Sequence, residues 1–420
     1  MSEDIKIPYE LPEGWKWVRL DSIAELKGGK RIPAGFRCTE QITPHVYIRV
    51  SDMQNDSICM DNLMYISEEV FQTIKKYTIS KNDLYLTIAG TIGRVGTIPD
   101  SLDNMNLTEN ALKITNIKCD KKYLLYSLKS EYTQNYFSES YHQVAMPKLS
   151  MLNASKTLIP LPPTLEEQQR IVNLIETLFA KLNEAKEKAQ NVVDIFEIRK
   201  ASILHKSFTG ELTKKWRKEN GVGDDSWEEK KLEDAYIINP KCIADDSVSA
   251  SFIPMEKIEA HNVNKFSYNI DLWGKIKKNH TQFQDGDVCF AKISPCFENG
   301  KAFIAENLEN GIGAGTTELI VLRNSKINTH YTFYLISDLS FVRGACSTYS
   351  GTVGQQRISM DYVKNYIVHI PSLPEQQEIV RVLDTILEKE NQAKEAALAV
   401  LEQIDLLKKS ILVRAFRGEL

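Results

Sequence analysis

Residues 164–212 read TLEEQQRIVNLIETLFAKLNEAKEKAQNVVDIFEIRKASILHKSFTGEL, and residues 372–420 read SLPEQQEIVRVLDTILEKENQAKEAALAVLEQIDLLKKSILVRAFRGEL. The two align without a gap at a constant offset of 208, with 22 of 49 positions identical. Such agreement within one chain marks a tandem duplication. Each copy reads as one long helix. Pro160, Pro162 and Pro163 precede the first and Pro371 the second, where proline breaks any earlier helix. Thr164 with Glu167, and Ser372 with Glu375, have capping-box spacing, in which hydroxyl and carboxylate each satisfy an open backbone N–H. Pro374 falls in the first turn, where a missing N–H is harmless. Gly210 and Gly418 stand where a terminating glycine is expected.

Between these signals the apolar residues follow a three–four rhythm. In the first copy it runs Ile171, Ile175, Leu178, Leu182, Ala185, Ala189, Val192, Phe196, Arg199, Ile203. The second copy has Ile379, Leu383, Ile386, Glu390, Ala393, Ala397, Val400, Ile404, Leu407, Ile411. A seam this narrow on so long a helix predicts a coiled coil rather than the face of a globular core. The interface expected from it is Ile171, Leu178, Ala185, Phe196 and Ile203 against Ile379, Ile386, Ala393, Ile404 and Ile411. Arg199 and Glu390 each interrupt the seam and would meet if the helices ran antiparallel. The plainer alternative is a coiled coil that merely joins two domains.

Working outward, residues 1–163 and 213–371 form two globular heads, each ahead of its helix at 164–212 or 372–420. The duplication persists there with more drift. Trp15 and Leu20 match Trp227 and Leu232 in spacing, and Asn82–Leu86 matches Gly286–Phe290 as a turn entering an alternating strand. Gly90–Gly96 is expected to correspond to Gly311–Gly315, and Lys148–Met151 to Arg357–Met360. The expected fold class is α+β: two mixed α/β domains joined by two long helices in an antiparallel coiled coil, with pseudo-two-fold duplication. Conserved helices beside diverged heads suggest two readers on one frame.

Composition narrows the class without naming it. With 42% hydrophobic and 26% charged residues the chain is an ordinary globular protein. No apolar run reaches membrane-spanning length, and the start MSEDIKIPYE lacks the basic-then-apolar order of a secretory signal. Seven cysteines never form a CxxC pair, which fits a reducing, cytoplasmic setting and gives no zinc framework. The formal charge of −4 lacks the usual basic footprint of a nucleic-acid binder. Residues 1–160 carry 19 basic and 19 acidic side chains, so any DNA contact must come from local basic loops. No phosphate-binding G-x-x-x-x-G-K-[ST] loop and no Asn/Asp-Pro-Pro-aromatic methyltransferase motif occurs. Glu228-Glu229-Lys230, with Asp224 or Asp225 upstream, imitates a nuclease motif only across three residues. The histidines show no metal-ligand spacing. No catalytic residue, metal site or cofactor site is expected on this chain.

Basic and amide residues do cluster on glycine-punctuated segments of both heads. Lys30 and Arg31 follow Gly28-Gly29, Thr91 and Arg94 flank Gly93, and Lys148 ends the first head. In the second, Lys277 and Lys278 form one cluster, and Thr352, Gln355 and Arg357 another. Side chains of these types can reach phosphates and base edges. A solvated surface turn would explain any single cluster; their presence in both heads is the signal. Lys214–Lys218, just after the first helix, is expected to be a solvated junction.

Ile159–Pro163 leading into Glu167-Gln168-Gln169, and Ile370–Pro374 leading into Glu375-Gln376-Gln377, resemble the specificity subunits of type I restriction–modification systems. So do the helix ends Ser207–Leu212 and Ala415–Leu420 and the opening Leu11–Trp17. The resemblance implies that each head is a target recognition domain reading one block of a bipartite, asymmetric DNA site. It implies two modification subunits, binding S-adenosylmethionine, and restriction subunits using ATP and magnesium, with no cofactor on this chain. A protein-interaction adaptor whose heads bind peptides is the competing reading; salt-dependent binding to duplex DNA separates the two. A helix of this length spans roughly 65 Å, almost two turns of duplex. If helix length sets the unread spacer, inserting a second Thr-Gly-Glu-Leu after Leu212 lengthens it by about one or two base pairs, since four helical residues add about 6 Å. Both blocks stay the same. Mapping of methylated adenines measures this; an unchanged spacer would show that the linker absorbs the insertion.

Overall fold

The computed structural model describes residues 7–140, 147–223, 225–352 and 354–420. It divides into two compact units, one of residues 1–190 with 398–420, the other of residues 191–397. Each unit holds one head and a stretch of both long helices.

The head of the first unit is framed by a ribbon, Lys16–Arg19 antiparallel to Leu158–Leu161. Its main sheet has the order Glu25–Gly28, Ala111–Thr115, Leu84–Thr87, Val95–Thr97. A smaller sheet pairs Tyr47–Ile48 in parallel with Met105–Leu107, which also takes Thr78–Ile79. The second unit repeats the plan. Glu228–Lys231 pairs with Ile367–Ile370, and the main sheet runs Ile237–Ile238, Leu319–Arg323, Val288–Ala291, Ala302–Ile304. Its other sheet again contains one parallel pair, Ser249–Ile253 with Ile312–Gly315. The expected turn into each central strand is present. Asp83 accepts the N–H of Ser80 at 2.9 Å and Asp287 that of Gln284 at 2.8 Å.

One correspondence read from the glycines is corrected. Gly311–Gly315 is not the partner of Gly90–Gly96: Ile312–Gly315 is a strand, the counterpart of Met105–Leu107. A Cβ at Gly313 would lie 2.5 Å from the Phe283 ring, so the glycine serves close packing, not a loop. The structural partner of the first head's loop is the segment between Val288–Ala291 and Ala302–Ile304.

The long helices span Leu165–Phe208 and Leu373–Arg417. The Glu-Gln-Gln triplet repeated in both has a structural purpose. Buried Gln168 accepts the backbone N–H of Asp120 at 2.8 Å, and buried Gln376 accepts that of Asn328 at 2.8 Å, both again 208 apart. Asp120 and Asn328 are themselves the N-caps of Lys121–Leu128 and Thr329–Ile336. One turn further on, Tyr123 stacks edge-on against Phe416 at 5.3 Å, and Tyr331 against Phe208 at 5.4 Å. Thus each head grips the start of the helix that follows it and the end of the other long helix. Gly210 and Gly418 close the helices with φ of 77° and 72°, a backbone only glycine adopts cheaply.

The capping boxes form only in part. Thr164 Oγ1 accepts the Glu167 N–H at 3.2 Å, but the Glu167 carboxylate turns to Arg170 at 2.8 and 2.9 Å. Glu375 turns inward instead, accepting from Arg217 and from Thr213 at 2.7 Å each. Arg217 also donates to the Gly210 carbonyl at 2.8 Å. The basic run Lys214–Lys218 is therefore a junction, but Arg217 is buried rather than solvated.

Within each unit the helix stretches run antiparallel. In the first, Lys408 donates to Asn183 at 2.6 Å while Asp405 faces Lys186 at 3.8 Å, so one helix climbs as the other descends. In the second, Arg199 meets Glu390 at 2.5 Å and Lys394 faces Glu197 at 3.6 Å. The seam keeps Ile171, Phe196, Ile379 and Ile404 buried, with Leu178, Ala185, Ile203, Ile386 and Ile411 partly covered. Ala393 is exposed, which corrects that position. Val400 and Leu407 are exposed too. The inward places one residue further on belong to Lys394, Leu401 and Lys408, all partly covered. The lysines lay their stems along the seam, the Lys394 ammonium 4.2 Å from the Phe196 ring centre and that of Lys408 5.6 Å from Phe179.

The corrected phase predicts unequal responses to a charge. Leu383 is 0% exposed and Leu407 48%. Leu383→Asp should lower the unfolding free energy by about 3 kcal/mol or more, by removing a core side chain and burying a lone carboxylate. Leu407→Asp should change it by less than about 0.5 kcal/mol. Urea unfolding checks both, and equal losses would return Leu407 to the seam.

Candidate nucleic-acid interface

Each head carries a rigid central hairpin whose loop end is open. Leu84–Thr87 and Val288–Ala291 are buried along their whole length. Leu84 and Leu86 pack with Tyr123 and Leu124, while Tyr85 points the other way among Ile48, Met53 and Ile79. The second head does the same: Val288 and Phe290 pack with Phe333 and Ile336, and Cys289 with Phe283 and Phe303. Strands covered on both faces cannot yield, so they fix the loop that follows.

The matched tails of the two heads return to this loop. Lys148 forms an antiparallel bridge with Ala89, and Arg357 with Ile293. The pairing of Lys148 with Arg357 read from the sequence is therefore a spatial equivalence as well. The serines beside them are used locally: Ser150 Oγ accepts the Asn153 N–H at 3.0 Å and Ser359 Oγ the Tyr362 N–H at 3.4 Å, each starting a helix.

One arginine near this edge in each head, Arg31 in the first and Arg357 in the second, is held by a glutamate. Arg31 Nε donates to Glu109 at 2.7 Å. Arg357 makes a two-pronged pair with Glu318, Nε–Oε2 2.9 Å and Nη2–Oε1 2.7 Å. Both glutamates follow a threonine, at Thr108-Glu109 and Thr317-Glu318, just before strands Ala111–Thr115 and Leu319–Arg323. Those strands occupy the same place in the two sheets, beside the central hairpin. The two glutamates are one residue out of register: Ile88 N–H bonds the Asn110 carbonyl where Lys292 N–H bonds that of Glu318, so Asn110 and not Glu109 is the counterpart of Glu318. Glu109 is further fixed by Tyr47, whose hydroxyl donates to it at 3.2 Å and to the Lys30 carbonyl at 2.9 Å. Burial pushes that phenol up to about 12. The Lys30 ammonium sits 5.6 Å from the Tyr77 ring centre.

The other candidates divide. Ile88 and Ala89 donate backbone N–H groups to Asn110, next to Glu109, which brings Lys30, Arg31, Thr91 and Lys148 to one region of the first head. Thr91 is exposed there, and its carbonyl accepts from the Thr87 hydroxyl. Arg94 turns elsewhere, donating to the Met53 carbonyl at 3.0 Å and lining a polar cleft of about 410 Å³ with Asp56, Lys129 and Gln134. In the second head, Gln355 N–H closes on the Thr352 carbonyl at 2.9 Å, and the Gln355 carbonyl accepts from Arg357 at 3.2 Å. Thr352, Gln355 and Arg357 thus form one group. Lys277 and Lys278 do not join it; they follow the short helix Trp273–Ile276 beside the other sheet, where Lys277 pairs with Asp246. The nuclease-like triplet lies in the framing ribbon, with Lys230 paired to Glu228 at 2.5 Å; Asp224 lies outside the described residues.

Arg357 holds the Glu318 carboxyl below the usual carboxylate range. Such a group contributes stability above the unfolded-chain value of about 4.3 and loses it as pH falls through the folded value. Glu318→Gln should therefore lose unfolding free energy less steeply than the parent chain between about pH 5 and about pH 3. Parallel curves for the two chains would show that the pair contributes nothing.

A family model of the type I restriction modification DNA specificity domain matches residues 12–194 and again residues 224–403. The Escherichia coli type I restriction enzyme EcoEI specificity subunit is 35% identical over 191 residues, which is 45% of this chain and 32% of that protein. The match thus spans about a third of that relative's length. The EcoKI specificity subunit of Escherichia coli strain K12 is 23% identical with coverage of 98% and 90%. Among solved structures, the HsdS subunit from Thermoanaerobacter tengcongensis matches with a TM-score of 0.63 at 19% identity, covering 98% of this chain and 99% of that one. A chain solved in a study of complex assembly and conformational transition of the type I R-M system gives 0.71 at 19% identity, covering 98% and 100%. These likenesses carry the fold. One domain model falling on each copy of the internal duplication places the chain, as a tandem member, in the type I restriction modification DNA specificity family, to which it belongs.

Proposed function

We propose that this chain is the specificity subunit of a type I restriction–modification enzyme, a non-catalytic protein that reads a bipartite asymmetric DNA site with one head per block. The observation that carries the reading is a duplicated construction with unequal drift. The glutamine grip on each head is repeated in Gln168 and Gln376, while the loop edges differ in which basic and amide residues they offer. A common frame with different edges suits two independent readings. Arginine, lysine and amide side chains at the hairpin edges supply donors for guanine, adenine and phosphate.

The same reading assigns the chemistry to partners. Two modification subunits would bind S-adenosylmethionine and methylate adenine; restriction subunits would use ATP and magnesium; this chain would hold none of these. The expected compartment is the cytoplasm. Among the described residues no helix is long and apolar enough to cross a membrane.

The test is a methylome. Removing the gene should erase one bipartite pattern of methylated adenines from host DNA. Replacing residues 1–158 with the corresponding head of a relative should change one block of that pattern and leave the other. No change on removal would sink the assignment; simultaneous change of both blocks would sink independent reading.

A further inference from the structure

The arginine–glutamate pairs at the two hairpin edges deepen the reading just proposed, and rest on it. We infer that Glu109 and Glu318 are specificity-determining residues, each holding an arginine off the DNA backbone until a correct base edge takes it. Three observations carry this. Both glutamates lie in the turn ahead of the strand that flanks the central hairpin, Glu109 two residues before Ala111 and Glu318 one before Leu319. The carboxylates are the fixed partners and the arginines the exposed ones: Glu109 and Glu318 side chains are 25% and 21% exposed, those of Arg31 and Arg357 80% and 45%. Finally, Glu318 engages two nitrogens of Arg357, Nε and Nη2, leaving a planar fork already oriented but occupied.

An unpaired guanidinium at such an edge would bind any phosphate, because that attraction ignores sequence. A carboxylate beside it changes the comparison. It satisfies the arginine in the free protein, so a phosphate gains only the difference between two charge-assisted contacts. A guanine that presents two acceptors in a fixed plane can replace the carboxylate with matched geometry. Random DNA is thereby disfavoured more than the target, and specificity is that difference of affinities.

The experiment uses the full-length chain and a duplex of random sequence, with affinity measured across a salt series. Glu318→Gln, and Glu109→Gln with Glu318→Gln, should tighten random-duplex binding about fivefold or more at low salt. Each freed arginine should steepen the log–log salt slope by about 0.9. The same Gln substitutions made on an Arg31→Ala, Arg357→Ala background should change affinity less than about twofold, because the glutamates act through those arginines. Should Glu109→Gln disturb the Tyr47 contact and fail to fold, Glu318→Gln with Arg357→Ala completes the cycle alone. An equal gain on the alanine background would show mere removal of negative charge and overturn the inference, as would unchanged or weaker binding in the Gln variants. A parent chain without salt-dependent duplex binding would remove the DNA reading as well; a parent that binds normally beside unresponsive Gln variants removes only this inference.

Discussion

Two amide oxygens, those of Gln168 and Gln376, each close the backbone donor of a helix cap in the head that precedes them. Leaving such a donor open in a buried place costs about 1–3 kcal/mol, so the glutamine cannot be exchanged for an apolar residue of similar size without loss. Beside each, a tyrosine ring from the same short head helix lies against a phenylalanine at the far end of the other long helix. A polar contact that fixes register and an aromatic one that supplies area thus meet at one place in each unit. The hairpins, and the edges that offer basic side chains, are positioned from there.

The repeat, the helices and the paired central strands were legible because duplication copies a pattern whole. What failed was finer. Ala393, Val400 and Leu407 were given the seam because they are apolar, yet they lie exposed, and Lys394 and Lys408 take inward places with their aliphatic stems. Hydropathy scores the end of a lysine and is blind to its stem. Likewise the S/T-x-x-E spacing was real, but Glu167 and Glu375 found stronger cationic partners than a backbone N–H. Glu109 and Glu318 are hidden for a related reason: a basic cluster in the sequence displays donors and not the acceptors that occupy them. Arg31 and Arg357 stand out in the sequence as basic residues, whereas the glutamates paired with them do not.

The near-neutral charge of the heads also acquires a physical sense. A formal charge of −4 argued against nucleic acid when read as a sum. The structure distributes it into pairs, among them Arg31–Glu109, Lys277–Asp246, Arg323–Asp287 and Arg357–Glu318. Arg323–Asp287 is structural, with Asp287 buried at the turn into the central strand. The others are exposed enough to exchange partners. Net charge describes long-range attraction, while exchangeable pairs describe what happens at contact.

The first unit joins residues 1–190 to residues 398–420, and its core includes Leu412, Ala415 and Phe416 beside Tyr123 and Leu124. Vectorial synthesis gives this arrangement a consequence. The first head emerges from the ribosome early, but the side chains that complete its core are made more than two hundred residues later. Until then Tyr123 lacks the Phe416 ring that lies against it in the folded chain. Residues 191–397, by contrast, draw every part of their core from one continuous stretch and can close as soon as it has emerged. The second unit thus needs nothing made after residue 397, whereas the core of the first needs Leu412, Ala415 and Phe416.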